Sequence, residues 1–100
     1  MRVEFRNRRL EQCYLRSSLA VREFGPEIGR RYIQRVNMLK AVDKLADLRL
    51  LPGLRCHPLK GERAGLWAIN LNGFYRLLFS WTEGKVEIVT IEEVSKHYGD

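Results

Sequence analysis

The hydrophobic period of this chain changes near its middle, and that change limits the folds open to it. Up to Pro52-Gly53, apolar residues recur every three or four positions; beyond it they alternate with polar ones. The first spacing puts side chains on one face of a helix, and the second puts them on one face of a strand. Such a chain must lay helices on a sheet.

Val3 and Phe5 alternate with Arg2, Glu4 and Arg6, which predicts a short first strand. Asn7 suits a helix cap. Leu10, Tyr14 and Ser17/Ser18 then follow at helical spacing, predicting a helix over 7–23 that Gly25-Pro26 ends. Pro26 suits the first turn of a second helix, and Glu27 favours the same end. Ile28, Tyr32, Ile33, Val36, Leu39, Val42 and Ala46 make one wide apolar stripe, so that helix is predicted over 26–47. The two helices are expected to form a hairpin.

In the second half, Leu54 to Leu59 is expected as one strand. Leu66, Ala68 and Asn70 then alternate with Trp67, Ile69 and Leu71, and Asn72-Gly73 is a tight-turn signal. Tyr75, Leu77, Phe79 and Trp81 share one face of the next strand, with Arg76, Leu78 and Ser80 on the other. After a turn at 82–85, a last strand is predicted over Val86 to Ile91. The expected fold is α+β, with the order β-α-α-β-β-β: a helical hairpin on a twisted, mainly antiparallel sheet. One hundred residues suit a single domain, 1–100.

Composition narrows the function. With 45% hydrophobic residues the chain is not intrinsically disordered. Its apolar runs are too short to span a membrane, and no apolar segment follows the first charges as in a signal peptide. A soluble cytoplasmic protein is expected. Cys13 and Cys56 form no CxxC or clustered ligand set, so reduced thiols and no metal site are expected. The net charge is +6, and all of the surplus lies in residues 1–49. Arginine outnumbers lysine, and its forked donors suit phosphate. Arg30, Arg31 and Arg35 fit a solvated helix face and phosphate binding equally well. Arg55 and Arg63 join them as candidate RNA contacts.

No GxGxxG, GxxxxGK[ST] or HExxH motif occurs, so no cofactor is expected. His57, Lys60, Arg76, His97 and Tyr98 remain, and antiparallel pairing could gather them on one sheet face. Metal-free RNA cleavage needs a base for the ribose 2′-OH, an acid for the leaving 5′-oxygen, and cations beside the phosphate. Histidine suits both proton transfers, Lys and Arg supply charge, and Tyr donates a proton or stacks on a base. By themselves these residues suit structural roles at least as well. Trp67, Trp81, Phe79 and Tyr75 read as core, and Asn72 as a turn residue.

Residues 54–81 resemble the HigB branch of the RelE/ParE toxin superfamily. The resemblance rests on His-Pro-Leu-Lys-Gly (57–61), Trp-Ala-Ile (67–69), Asn-Gly-Phe-Tyr-Arg-Leu-Leu-Phe (72–79) and the acidic, His/Tyr-bearing end. It implies a microbial-ribonuclease-like fold and a toxin of a type II toxin–antitoxin system. It implies metal-free cleavage of mRNA on the ribosome, and a cognate helix-turn-helix (HigA-like) antitoxin. Under it, His57 and Lys60 match the family's catalytic His and Lys, and Arg76 its phosphate-contacting arginine. HigB-like chains often end in Asp-Tyr-His. Here His97-Tyr98 stands in reversed order, and Glu92 or Glu93 is the candidate for the acid. Two other readings are a ParE-like inhibitor of DNA gyrase and a non-catalytic basic RNA-binding module. The ParE branch generally lacks the His and Lys of the 57–61 motif.

Overall fold

Asn7 separates the first strand from the first helix: its side-chain oxygen accepts the Leu10 N–H at 2.9 Å, satisfying a donor the helix leaves free. The computed structural model describes residues 1–96. Strand β1 (Arg2–Phe5) leads into helices α1 (Arg8–Leu15), α2 (Ser17–Phe24), α3 (Pro26–Ala41) and α4 (Leu45–Arg49). Strand β2 (His57–Pro58), a 3-10 turn (Gly61–Arg63), β3 (Leu66–Asn70), β4 (Tyr75–Thr82) and β5 (Ile88–Lys96) follow. The sheet order is β1-β5-β4-β3-β2, with β1 parallel to β5 and every other pair antiparallel. The α+β class and mainly antiparallel sheet match the expected ones, but the order β-α-α-β-β-β becomes four helices and five strands among the described residues, because the two expected helices break and the short edge strand β2 adds to the three strands after it.

Four boundaries differ from the sequence reading. The helix expected over 7–23 breaks at Arg16, which is extended (φ −130°) and serves as the end of α1 and the start of α2. Ser17-Ser18 follow at once, and serine favours a helix start over a helix interior. The helix expected over 26–47 stops at Ala41, because Val42 is extended. Its missing last turn is a separate helix, α4, whose Leu45 N–H donates to the Glu87 carboxylate at 3.0 Å. The strand expected over 54–59 shrinks to His57–Pro58. The last strand runs five residues past Ile91, to Lys96, pairing with β4 as far as Tyr75.

Helices and sheet share one core. Tyr32, Val36, Leu39 and Leu48 meet Ile69, Leu77, Phe79, Val89 and Ile91, all fully buried. Each such side chain stabilises the fold by about 1.5–3 kcal/mol. The buried Tyr32 hydroxyl donates to the Leu10 carbonyl at 2.6 Å, which ties α3 to α1. Phe79 is core as expected, and Tyr75, Trp67 and Trp81 pack partly buried against it. Alternation leaves Ala68, Asn70, Arg76, Leu78 and Ser80 on the opposite, helix-free face. No helix among the described residues is long and apolar enough to cross a membrane.

Candidate active site

His57 is constrained from both sides by its neighbours. Pro58 follows it, and the residue before a proline is driven to extended backbone. Pro58 also fits because β2 is an edge strand, where its missing N–H leaves no gap in the ladder. His57 pairs with Ala68, Ala68 with Leu78, and Leu78 with Glu93. This row crosses the helix-free face. The His57 ring lies half-buried, with Nδ1 2.6 Å from the Arg55 carbonyl oxygen.

One row away, Asn70, Arg76 and Ser95 pair in the same way. The strand register therefore puts His57 and Arg76 on one face. The Nε of Arg76 is buried and has no hydrogen-bond partner among the described residues. A buried donor without a partner costs about 1–3 kcal/mol, which makes Arg76 a candidate phosphate contact. Lys60 is exposed at the start of the 3-10 turn, three residues after His57. His97 and Tyr98 lie outside the described residues.

A β-bulge shapes the other side of this face. Leu78 pairs with Glu93 and Phe79 with Ile91, so Glu92 is the extra residue. Glu92 accepts the Ser80 hydroxyl at 2.9 Å and lies 4.0 Å from Arg6. Glu93 pairs with Arg63 at 2.9 Å. Two adjacent carboxylates thus reach the same face, which strict strand alternation would forbid. The run Glu92-Glu93 is visible in the sequence, but the bulge that turns both one way is a pairing event.

The candidate RNA contacts divide. Arg30 and Arg55 are exposed. Arg31 donates to the Leu71 carbonyl and Arg35 Nε to the Asn70 carbonyl, both at 2.9 Å. These two arginines bind α3 to the end of the β3–β4 hairpin. Burial, with Arg31 nearby, lowers the Arg35 pKa. Asn72 serves the same join: its amide donates to Glu27, and its oxygen accepts the N–H groups of Phe74 and Tyr75. Arg63 is partnered by Glu93. Sequence reasoning passed over Arg49, which lies 5.2 Å from the centre of the Trp67 ring.

Neither cysteine is a ready nucleophile. Cys13 is buried, and burial pushes the Cys56 thiol up to about 11. No group of three or more His, Cys, Asp or Glu among the described residues could hold a metal ion. Two surface concavities lie elsewhere, one beside Arg2, Lys44, Trp81 and Glu87, the other over 5–12. Neither contains the His57 row, in which Ala68 and Leu78 are fully buried and His57 and Glu93 are partly exposed.

Comparison with known proteins bears on this geometry. The family described as "RelE-like toxin of type II toxin-antitoxin system HigB" matches residues 3–93. Toxin HigB-1 of Vibrio cholerae is 33% identical over 84 residues, covering 84% of this chain and 87% of that one. Endoribonuclease HigB of Proteus vulgaris is 31% identical over 64 residues, 61% of this chain and 70% of that one. Among solved structures, the YoeB/ParE toxin from Agrobacterium tumefaciens superposes with a TM-score of 0.64 at 12% identity. It covers 98% of this chain and 100% of its own. YafQ from E. coli gives 0.61 at 11% identity, over 96% and 93%. These structural likenesses concern the fold alone.

Proposed function

The chain belongs to the HigB-like family of RelE-like toxins from type II toxin–antitoxin systems, and from that premise we propose that it halts translation by cutting mRNA on the ribosome. Family membership makes an antitoxin its partner; a helix-turn-helix, HigA-like antitoxin and a cytoplasmic location belong to the proposal. The Proteus vulgaris relative is named an endoribonuclease, which supports the chemistry.

The observation that carries the proposal is the shared face of His57 and Arg76, with Arg76 Nε buried and without a partner among the described residues. In this reading the scissile phosphate lies beside His57 and Arg76. Arg76 donates to its oxygens, and Lys60 adds charge from the rim. His57 takes the 2′-OH proton, and His97 or Tyr98 protonates the leaving 5′-oxygen. The reverse assignment of His57 and His97 uses the same groups. A 2′,3′-cyclic phosphate and a 5′-hydroxyl result. Arg30, Arg31, Arg35, Arg55 and Arg63 are proposed to steer the toxin to RNA. For Arg31, Arg35 and Arg63 that role must coexist with the partners they already hold.

Primer extension on a reporter mRNA after brief induction tests this, beside a His57→Ala, Lys60→Ala variant. Cuts within the translated frame that vanish in the variant are expected. Growth arrest with intact mRNA would overturn the nuclease reading and point to another target, such as gyrase.

A further inference from the structure

The β2–β3 ladder departs from its register at Arg55. Leu59 N–H donates to the Leu66 carbonyl, and His57 pairs with Ala68. Continued without interruption, this ladder would send the Asn70 N–H to the Arg55 carbonyl. Instead Asn70 N–H donates to the Leu54 carbonyl, one residue earlier, at 2.8 Å. Arg55 is the extra residue of a bulge, and the ladder leaves its carbonyl unused.

Arg55 is also the one non-glycine among the described residues with positive φ, at 50°. Bulges that need this left-handed conformation usually take glycine. The Arg55 side chain is exposed, so no core contact demands the strained backbone. What the turn delivers is the freed carbonyl, 2.6 Å from His57 Nδ1.

We propose that Arg55 is a positioning residue whose left-handed bulge presents its carbonyl to His57, fixes the Nδ1–H tautomer and leaves Nε2 as the proton-transferring atom. A carbonyl only accepts hydrogen bonds, so at this distance Nδ1 must carry the proton. In the neutral ring Nε2 then bears the lone pair. On protonation both nitrogens carry hydrogen, and the bond to Arg55 persists. The ring therefore gains and loses its proton at Nε2 without losing its anchor. The catalytic use of that atom rests on the ribonuclease reading above; the tautomer does not.

Nitrogen-15 NMR of the full chain tests it, with His57 assigned by comparison with His57→Gln. Above the imidazole titration, a pyrrole-type Nδ1 and a pyridine-type Nε2 are expected. Arg55→Asn tolerates the left-handed region and should keep this pattern. Arg55→Val resists that region and should shift the ring toward the Nε2–H form. Both variants lose the same guanidinium, so a lost RNA contact is common to them. The valine variant should lose more kcat than the asparagine variant, with a displaced pH profile. A wild-type ring already in the Nε2–H form would overturn the proposal, and so would a valine variant with the wild-type pattern. If the valine variant does not fold, the wild-type spectrum decides. A fixed Nδ1–H tautomer in a protein that cuts no RNA would uphold the positioning and remove the catalytic reading.

Discussion

The Arg63 guanidinium lies 2.9 Å from the Glu93 carboxylate, joining the turn after β2 to β5 across the face that holds His57 and Arg76. Both side chains are 44% exposed, so the pair is worth only about 0–1 kcal/mol. Glu93→Gln should leave the urea midpoint almost unchanged while releasing a cation. RNA binding should tighten, and each added phosphate contact should steepen the salt slope by about 0.7. Fluorescence anisotropy of a labelled single strand across a salt series measures this. An unchanged slope would show that Arg63 meets no phosphate.

Arg76 should trade stability for activity. Its Nε, buried and without a partner among the described residues, carries a desolvation cost that Arg76→Met removes. The variant should be as stable as the parent or up to about 1 kcal/mol more so. Its cleavage rate should fall about 100-fold or more, as when a donor to a developing charge is deleted. Urea unfolding and single-turnover cleavage would be compared. A clear loss of stability would make Arg76 a structural residue.

Gly29 sits where α2 and α3 approach each other. A Cβ built there would lie 2.7 Å from the Ala20 carbonyl carbon and 2.8 Å from Val21 N, both backbone atoms with little freedom to yield. Alanine improves helix propensity by about 1 kcal/mol. Overpacking against backbone outweighs that gain, and Gly29→Ala should destabilise by about 1–3 kcal/mol. Urea unfolding checks the sign; a stabilised variant would refute the close approach.

Glu87 links stability to acid. Its carboxylate accepts Leu45 N–H at the start of α4 and Trp81 Nε1, and its pKa falls below the usual 4.5, chiefly through the Leu45 bond. A folded-state pKa below the unfolded one means that the stabilisation is full above the unfolded value. It is lost as pH falls through the folded value. Glu87→Gln should therefore be less stable than the parent near neutrality, and the gap should close in acid. Urea midpoints of both proteins from pH 7 to 3 would show it; a constant gap would contradict the linkage.

Much of the candidate site was legible because His57 and Lys60 fall in one short motif, with Arg76 in the strand that follows the Asn72-Gly73 turn. His57, Lys60 and Arg76 could be singled out from residue chemistry, and Asn72 from its turn. Arg31 and Arg35 show what could not be read. Their spacing fits a solvated basic face, yet each reaches a carbonyl of the β3–β4 hairpin. Nothing local to α3 reveals those acceptors, which lie 40 and 35 residues away. Arg55 likewise reads as one more surface cation, because its conformation comes from strand pairing and not from its own propensity.

By itself the sequence determined the helical first half and the stranded second half, the apolar stripe of α3 and the hairpin at Asn72-Gly73, and it named the candidate residues for the chemistry. Periodicity and turn preference act over a few residues, so they leave a local trace. Only the tertiary structure decided where α3 ends, how far β5 runs, which way Glu92 and Glu93 face, and which carbonyl holds His57. Each of those outcomes depends on hydrogen bonds made when separate segments meet: Glu87 with Leu45, β4 with β5, and Asn70 with Leu54.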